Sequence, residues 1–158
     1  MAHTMDRFGF ELPLLLAGAF RQLIDELHRR LAEQGHPDLR PAYGFALQAI
    51  GPDGATMSEI GRRLGVSKQA ATKTVGKLAE LGYVDRAPDS ADARAVHVTI
   101  TPRGRDSLRR SAEIFESLRR EWVRELGADR VRALEDDLAT MTDLAGGVPL
   151  HDLPGWLR

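Results

Sequence analysis

Ser67, Lys68, Gln69, Thr72, Lys73 and Lys77 fall within eleven consecutive residues. Together they offer hydroxyl, amide and ammonium groups, which donate to phosphate oxygens and to the edges of bases. All three lysines of the chain lie in this stretch. The net charge of the 158 residues is −1, which by itself argues against a polyanionic partner. Its distribution argues the other way. Residues 56–105 hold 9 Lys and Arg against 5 Asp and Glu, whereas residues 1–55 hold 5 against 7 and residues 106–158 hold 8 against 11. A basic centre between acidic flanks is a localised electrostatic footprint, because phosphate attracts the centre and repels the flanks.

Other chemistries find less support. There is no cysteine, which removes disulfides, thiolate metal sites and thiol nucleophiles. The five histidines (His3, His28, His36, His97 and His151) include no pair four residues apart, so no metal and no other cofactor is expected. Neighbouring acids such as Asp136 and Asp137 point away from each other on a helix. No nucleophile–base pair, phosphate loop or nucleotide-binding fingerprint occurs, and the chain does not read as an enzyme. Hydrophobic residues make up 42% and charged residues 28%, the balance of a globular domain. The longest apolar run, residues 12–20, is broken by Pro13 and Gly18 and falls short of the ~20 residues of a membrane span. With no charged-then-apolar leader pattern either, a cytoplasmic protein that does not enter membranes is expected.

Periodicity shows which elements must position the basic stretch. Leu12, Leu16, Phe20, Leu23, Leu27 and Leu31 recur at helical spacing, and Gly35-His36-Pro37 ends that helix. Pro41 opens a second helix with Tyr43, Ala46, Leu47 and Ile50 inward, stopped at Gly51-Pro52-Asp53-Gly54. Thr56-Met57-Ser58-Glu59 is a capping box that opens a short helix ending at Gly65. Ser67 caps the next helix, which carries Ala71, Val75 and Leu78 on one side and ends at Leu81-Gly82. Gly76 in its interior costs about 1 kcal/mol against Ala, which predicts a packing or close-approach reason for it. The period then changes from helical to alternating. Residues 83–87 and 94–101 read as two strands, the second with Val96, Val98 and Ile100 inward, joined by a flexible tip of turn residues. Thr101-Pro102 starts a long helix with Leu108, Phe115, Leu118, Trp122 and Leu126 near a heptad seam. After Gly127 a last helix carries Val131, Leu134, Leu138 and Met141. The fold class is mostly α with a small β-hairpin wing. A short helix, a tight turn, a longer helix and a hairpin form the order of a winged helix-turn-helix. In that motif the second helix enters the major groove with its N-terminal residues at the base edges.

From about residue 10 to residue 145 the sequence resembles the MarR family of bacterial transcription regulators. The resemblance is carried by Met57-Ser58-Glu59-Ile60-Gly61-Arg62-Arg63-Leu64-Gly65-Val66-Ser67 and by Leu78-Ala79-Glu80-Leu81-Gly82-Tyr83-Val84-Asp85-Arg86. Asp89-Ser90-Ala91-Asp92-Ala93-Arg94 and Thr99-Ile100-Thr101-Pro102-Arg103-Gly104 complete it. The resemblance implies a homodimer in which the first and last helices of two chains intertwine. It implies that Arg94, oriented by Asp92, enters the minor groove. It also places small-molecule sites where the first, second and fifth helices meet. There Phe20, Leu23, Leu47 and Leu108 offer apolar walls, and Tyr43, His28 and Arg40 offer polar fixtures for a small aromatic or anionic effector. Two departures stand out: Asp89-Ser90 replaces the family's frequent Asp-Pro, and Lys73 and Lys77 flank Gly76, so an operator preference does not carry over.

The expected organisation is a helical dimerisation region of residues 10–36 and 105–146 around a winged helix-turn-helix domain of residues 38–104, with a tail of residues 147–158. The expected function is sequence-specific binding of double-stranded DNA by a homodimeric, ligand-responsive repressor on a pseudo-palindromic operator. Ser67, Lys68, Gln69, Thr72, Lys73, Lys77 and Arg94 are the expected contacts. Arg62, Arg63, Arg86 and Arg103 read as phosphate contacts or surface charge. The alternative is a winged helix that only dimerises or docks another protein without DNA, a role that leaves the basic helix idle.

Overall fold

Caps and glycines divide the chain where its periodicity changes. The computed structural model describes residues 8–144. The expected tail and the last two residues of the expected dimerisation region lie outside them. The order is α1 (Glu11–Glu33), α2 (Pro41–Ile50), β1 (Ala55–Thr56), α3 (Met57–Leu64), α4 (Lys68–Glu80), β2 (Val84–Pro88), β3 (Val96–Ile100), α5 (Pro102–Leu126) and α6 (Ala128–Leu144). Thr56 Oγ1 accepts from the Glu59 amide while the Glu59 carboxylate accepts from the Thr56 amide at 2.7 Å, so the capping box is complete. Ser67 Oγ accepts from the Ala70 amide at 3.1 Å, and Thr101 Oγ1 accepts from the Gly104 amide at 3.1 Å. Each satisfies an amide that the first helical turn leaves without a partner.

Gly65 closes α3 in the left-handed region at φ 64°. Its amide bonds to the Arg62 carbonyl and the Val66 amide to the Gly61 carbonyl, which stops the helix and redirects the chain into α4 within three residues. The sheet runs β1-β3-β2, antiparallel throughout, with Ala55 opposite Val98 and Val84 opposite Ile100. The strand β1 is not expected from the sequence, since two residues show no periodicity. It ties the segment after α2 to the wing, and a Cβ on Gly54 would meet His97 Nε2 and the Val98 carbonyl at 2.6 Å each.

The core joins both parts of the molecule. Ala46, Leu47 and Ile50 of α2, Ile60 of α3, Ala71, Val75 and Leu78 of α4, and Val98 of β3 are buried together. Leu27 and Leu31 pack α1 against Ile114 and Leu118 of α5. Arg30 adds a bridge, donating to Glu121 across the two helices at 2.8 Å.

Four expectations need correction. Val96 is 39% exposed, because the distal half of the hairpin extends past the last core residue, Val98. The wing tip is ordered by carboxylates: Asp89 accepts from the amides of Ala91 (3.1 Å) and Asp92 (3.0 Å), and Asp92 from that of Arg94 (3.0 Å). At Gly76 a Cβ would meet only the Arg86 guanidinium at 3.9 Å, an ordinary contact. The close approach occurs instead at Gly104, where a Cβ would strike the Tyr83 carbonyl and lie 2.6 Å from Ile100. Finally, α5 buries Ile114 and Leu118 but exposes Phe115 and Leu126, because a 3.6-residue helix drifts off a heptad seam.

Candidate nucleic-acid interface

The helix α4 has two faces. Ala71, Val75 and Leu78 are buried, and Ser67, Lys68, Gln69, Thr72, Lys73 and Lys77 all reach solvent on the other side. Helical phase places Gln69 and Lys73 near the middle of the outer face and Lys68 and Thr72 on the side toward the wing. The Thr72 hydroxyl donates to the Lys68 carbonyl at 2.8 Å, which leaves its oxygen free to accept. Lys77 pairs with Glu80 at 3.0 Å, and that carboxylate raises its pKa and occupies its ammonium group. Lys77 therefore sits at the trailing edge of the face, already held by an acid of its own helix.

The wing completes the surface. Lys68, Thr72, Arg86, Arg94 and Ala95 line one small cleft of about 140 Å³ between α4 and the hairpin. The Asp92 carboxylate accepts from the Arg94 backbone amide at 3.0 Å. Arg86 belongs to this cleft too, and the sequence singles it out no more than Arg62. It follows Val84 on the same face of β2, where the core ends and the pleat continues over α4.

Two of the four arginines read as phosphate contacts or surface charge also bond within the chain. Arg63 donates to the Ala49 carbonyl at 2.7 Å, tying α3 to α2. Arg103 lies 4.7 Å from the centroid of the Tyr83 ring and donates to the Tyr83 hydroxyl and the Gly35 carbonyl, each at 3.2 Å. These contacts belong to a polar pin, buried at His36 and Tyr83, that sequence reading does not disclose. His36, 3% exposed, donates from Nε2 to the Asp106 carboxylate at 2.9 Å, since a carboxylate only accepts. Its Nδ1 lies 3.0 Å from the Tyr83 hydroxyl, from which it accepts when the ring is neutral. The Arg110 guanidinium, then the His36 ring and Arg109, hold the Asp106 carboxyl well below the usual carboxylate range. Burial pushes the Tyr83 phenol up. The pin locks the end of α1, the start of β2 and the first turns of α5 together.

A second concavity lies where α1, α2 and α5 meet, with a volume of about 240 Å³. Phe20, His28 and Leu47, three of the five expected ligand residues, line it, and so does Leu108. Tyr43, Arg40 and Leu23 do not. On α2 the 3.6-residue repeat puts Pro41, Gly44, Phe45 and Gln48 toward the cavity and turns Tyr43 to the opposite side, where it packs against the core. Arg40 precedes the helix as its cap residue and is exposed.

Comparison with known proteins settles the family. The MarR family profile matches residues 38–95, from before α2 to the wing tip. An HTH-type transcriptional regulator of Mycobacterium tuberculosis is 33% identical over 103 residues, which cover 63% of this chain and 67% of the relative. The chain belongs to the MarR family. Among solved structures, a mutant MarR from Escherichia coli in complex with operator DNA superposes with a TM-score of 0.66 at 26% identity, over 83% of this chain and 93% of that one. A transcriptional regulator from Thermotoga maritima gives 0.61 at 27% identity, over 85% and 93%. MarR-family membership makes the chain a transcriptional regulator rather than an enzyme.

Within the MarR fold, the exposed face of α4 and the arginines of the wing form one continuous polar surface. The cavity between α1, α2 and α5 lies behind it. The His36 pin is the part that residue spacing misses, whereas Arg86, read as a phosphate contact or surface charge, lines the cleft. Alternation along β2 is the one signal that points toward Arg86, and none points toward the pin.

Proposed function

We propose that this MarR-family regulator binds double-stranded DNA as a cytoplasmic homodimer and represses transcription from a pseudo-palindromic operator until a small molecule releases it. The observation that carries the reading is the division of α4 into a buried apolar back and an exposed face of Ser67, Lys68, Gln69, Thr72 and Lys73, continued by Arg86 and Arg94 across one cleft. Such a helix enters the major groove while the wing reaches the adjoining minor groove. The Escherichia coli MarR complex with operator DNA supports the same docking for this chain.

A second copy accounts for the apolar residues that one chain leaves in water. Phe8, Phe10, Leu12 and Leu14 at the start of α1, and Leu138 and Met141 on α6, are exposed. A surface of that kind marks an interface. Two-fold symmetry then requires half-sites whose centres lie about one helical turn, ~10 bp, apart. The cavity behind the helix-turn-helix gives a ligand its means of control. A ligand that favours the dimer whose recognition helices miss the ~34 Å groove repeat weakens operator binding, by roughly 5–150-fold for a coupling of ~1–3 kcal/mol.

Selection from a random pool of DNA duplexes, followed by sequencing of the bound fraction, tests the reading. A two-fold sequence with half-site centres about one turn apart is the expected product. Failure to enrich any duplex at low salt would move the chain to the alternative role, a winged helix that docks protein alone.

A further inference from the structure

We propose that the cavity between α1, α2 and α5 takes an uncharged ligand of about two fused rings that carries a hydrogen-bond donor, rather than an anion. The proposal rests on the ligand-responsive reading of the same cavity and specifies the chemistry of its occupant. Among the described residues, the lining includes no Lys, Arg, Asp or Glu. An anion entering it would lose its hydration and meet no permanently charged side chain in return, a penalty that a neutral ring escapes.

The polar groups on the wall are arranged to accept. His28 Nδ1 lies 2.7 Å from the Ile24 carbonyl, and a carbonyl only accepts, so Nδ1 carries the proton. In the neutral ring Nε2 then presents a lone pair. The Ser107 hydroxyl donates to the Gly104 carbonyl at 2.8 Å, and the Ser111 hydroxyl to the Ser107 carbonyl at 2.8 Å. Both spend their protons on the backbone of α5 and keep only acceptor capacity. Gln48, exposed on α2, is the one lining side chain with amide donors. A phenol, an alcohol or an N–H heterocycle matches this wall, and a carboxylate does not. Size agrees: a cavity of about 150 Å³ holds a benzene ring, and this one measures about 240 Å³.

Gly44 supplies a clean control. It lines the cavity from α2, and a Cβ added there meets nothing within 4 Å. Gly44→Leu therefore starts from an unobstructed Cβ and puts an isobutyl group at the cavity wall. His28→Phe keeps a ring and removes the acceptor.

Calorimetric titration of the full chain with 2-naphthol, naphthalene and 2-naphthoate at neutral pH tests the proposal. The expected result is that naphthol binds at least ~10-fold more tightly than naphthoate and roughly fivefold more tightly than naphthalene, the gain of one net hydrogen bond. His28→Phe is expected to erase the advantage over naphthalene, and Gly44→Leu to abolish binding of both. Naphthoate binding as tightly as naphthol would overturn the uncharged class and leave a ligand-responsive protein standing. Naphthol binding undiminished in Gly44→Leu would overturn the assignment to this cavity. No binding of any of the three at millimolar concentration would overturn the proposal and the ligand-responsive reading together.

Discussion

Lys68 and Lys73 differ in what each can reach. Lys68 shares the cleft with Arg94 and Arg86 at the edge of α4, whereas Lys73 stands one turn along its outer face. A lysine on phosphate contributes counterion release. Lys→Ala at either position should therefore lower the salt slope by about 0.9 for each phosphate left without its lysine, or about two units per dimer. A lysine on guanine would instead lose ~1–3 kcal/mol at particular sequences only. Filter binding across salt concentrations separates the two. Arg94→Ala should weaken binding most at sites with a narrow A·T minor groove, read by comparing A-tract and G·C-rich flanks. The polar pin makes a different prediction. Its carboxyl, Asp106, titrates below its ordinary value in the folded chain. The stabilisation is therefore complete above about pH 4, the unfolded value, and is lost as pH falls through the lower folded value. The stability gap between wild type and Asp106→Asn, from urea melts, should narrow steadily below pH 4. A gap that stays constant would mean that the carboxylate charge is not what the pin uses.

At the scale of elements, the turn between α3 and α4 decides where the recognition face points. Gly65→Ala forces a Cβ into the left-handed region and should cost roughly 1–2 kcal/mol in urea melts. Thr56→Ala removes one reciprocal cap and should cost about 1 kcal/mol. Caps, stops and apolar stripes like these are local, and for that reason they are readable: Thr56, Gly65, Ser67 and Thr101 all stand where their chemistry places them. What escapes reading is non-local. The strand β1 exists because Gly54 lets the chain lie against His97 and Val98, from a distant part of the sequence. The wing tip has no apolar anchor to suggest order, yet two aspartates bond its amides. Tyr43 suits a ligand by residue type, and helical phase alone turns it away from the cavity that Gly44 and Phe45 face. His36 reads as part of a helix stop, and its partners Tyr83 and Asp106 come from distant segments. The DNA-facing set is legible in a way the cavity is not, because one helix supplies nearly all of it.

For the whole molecule, the account requires two copies. Leu138 and Met141 on α6, Phe8 and Phe10 just before α1, and Leu12 and Leu14 in its first turn are exposed, and a surface of that kind marks an interface. Leu138→Glu should therefore shift sedimentation at micromolar concentration toward the monomer and reduce operator affinity with it. A wild-type chain that sediments as a monomer would remove the two-fold operator as well. The most direct test of the central claim is the salt dependence of binding to the selected duplex, measured by fluorescence anisotropy for wild type and for the combined Lys68→Ala, Lys73→Ala and Arg94→Ala variant. The account predicts a steep inverse slope for wild type. For the variant it predicts a slope shallower by several units, about 0.9 for each phosphate that the two protomers no longer neutralise, with unchanged secondary structure by circular dichroism. A folded variant that keeps the wild-type affinity and slope would contradict it, because DNA would then be bound by some surface other than the face of α4 and the wing.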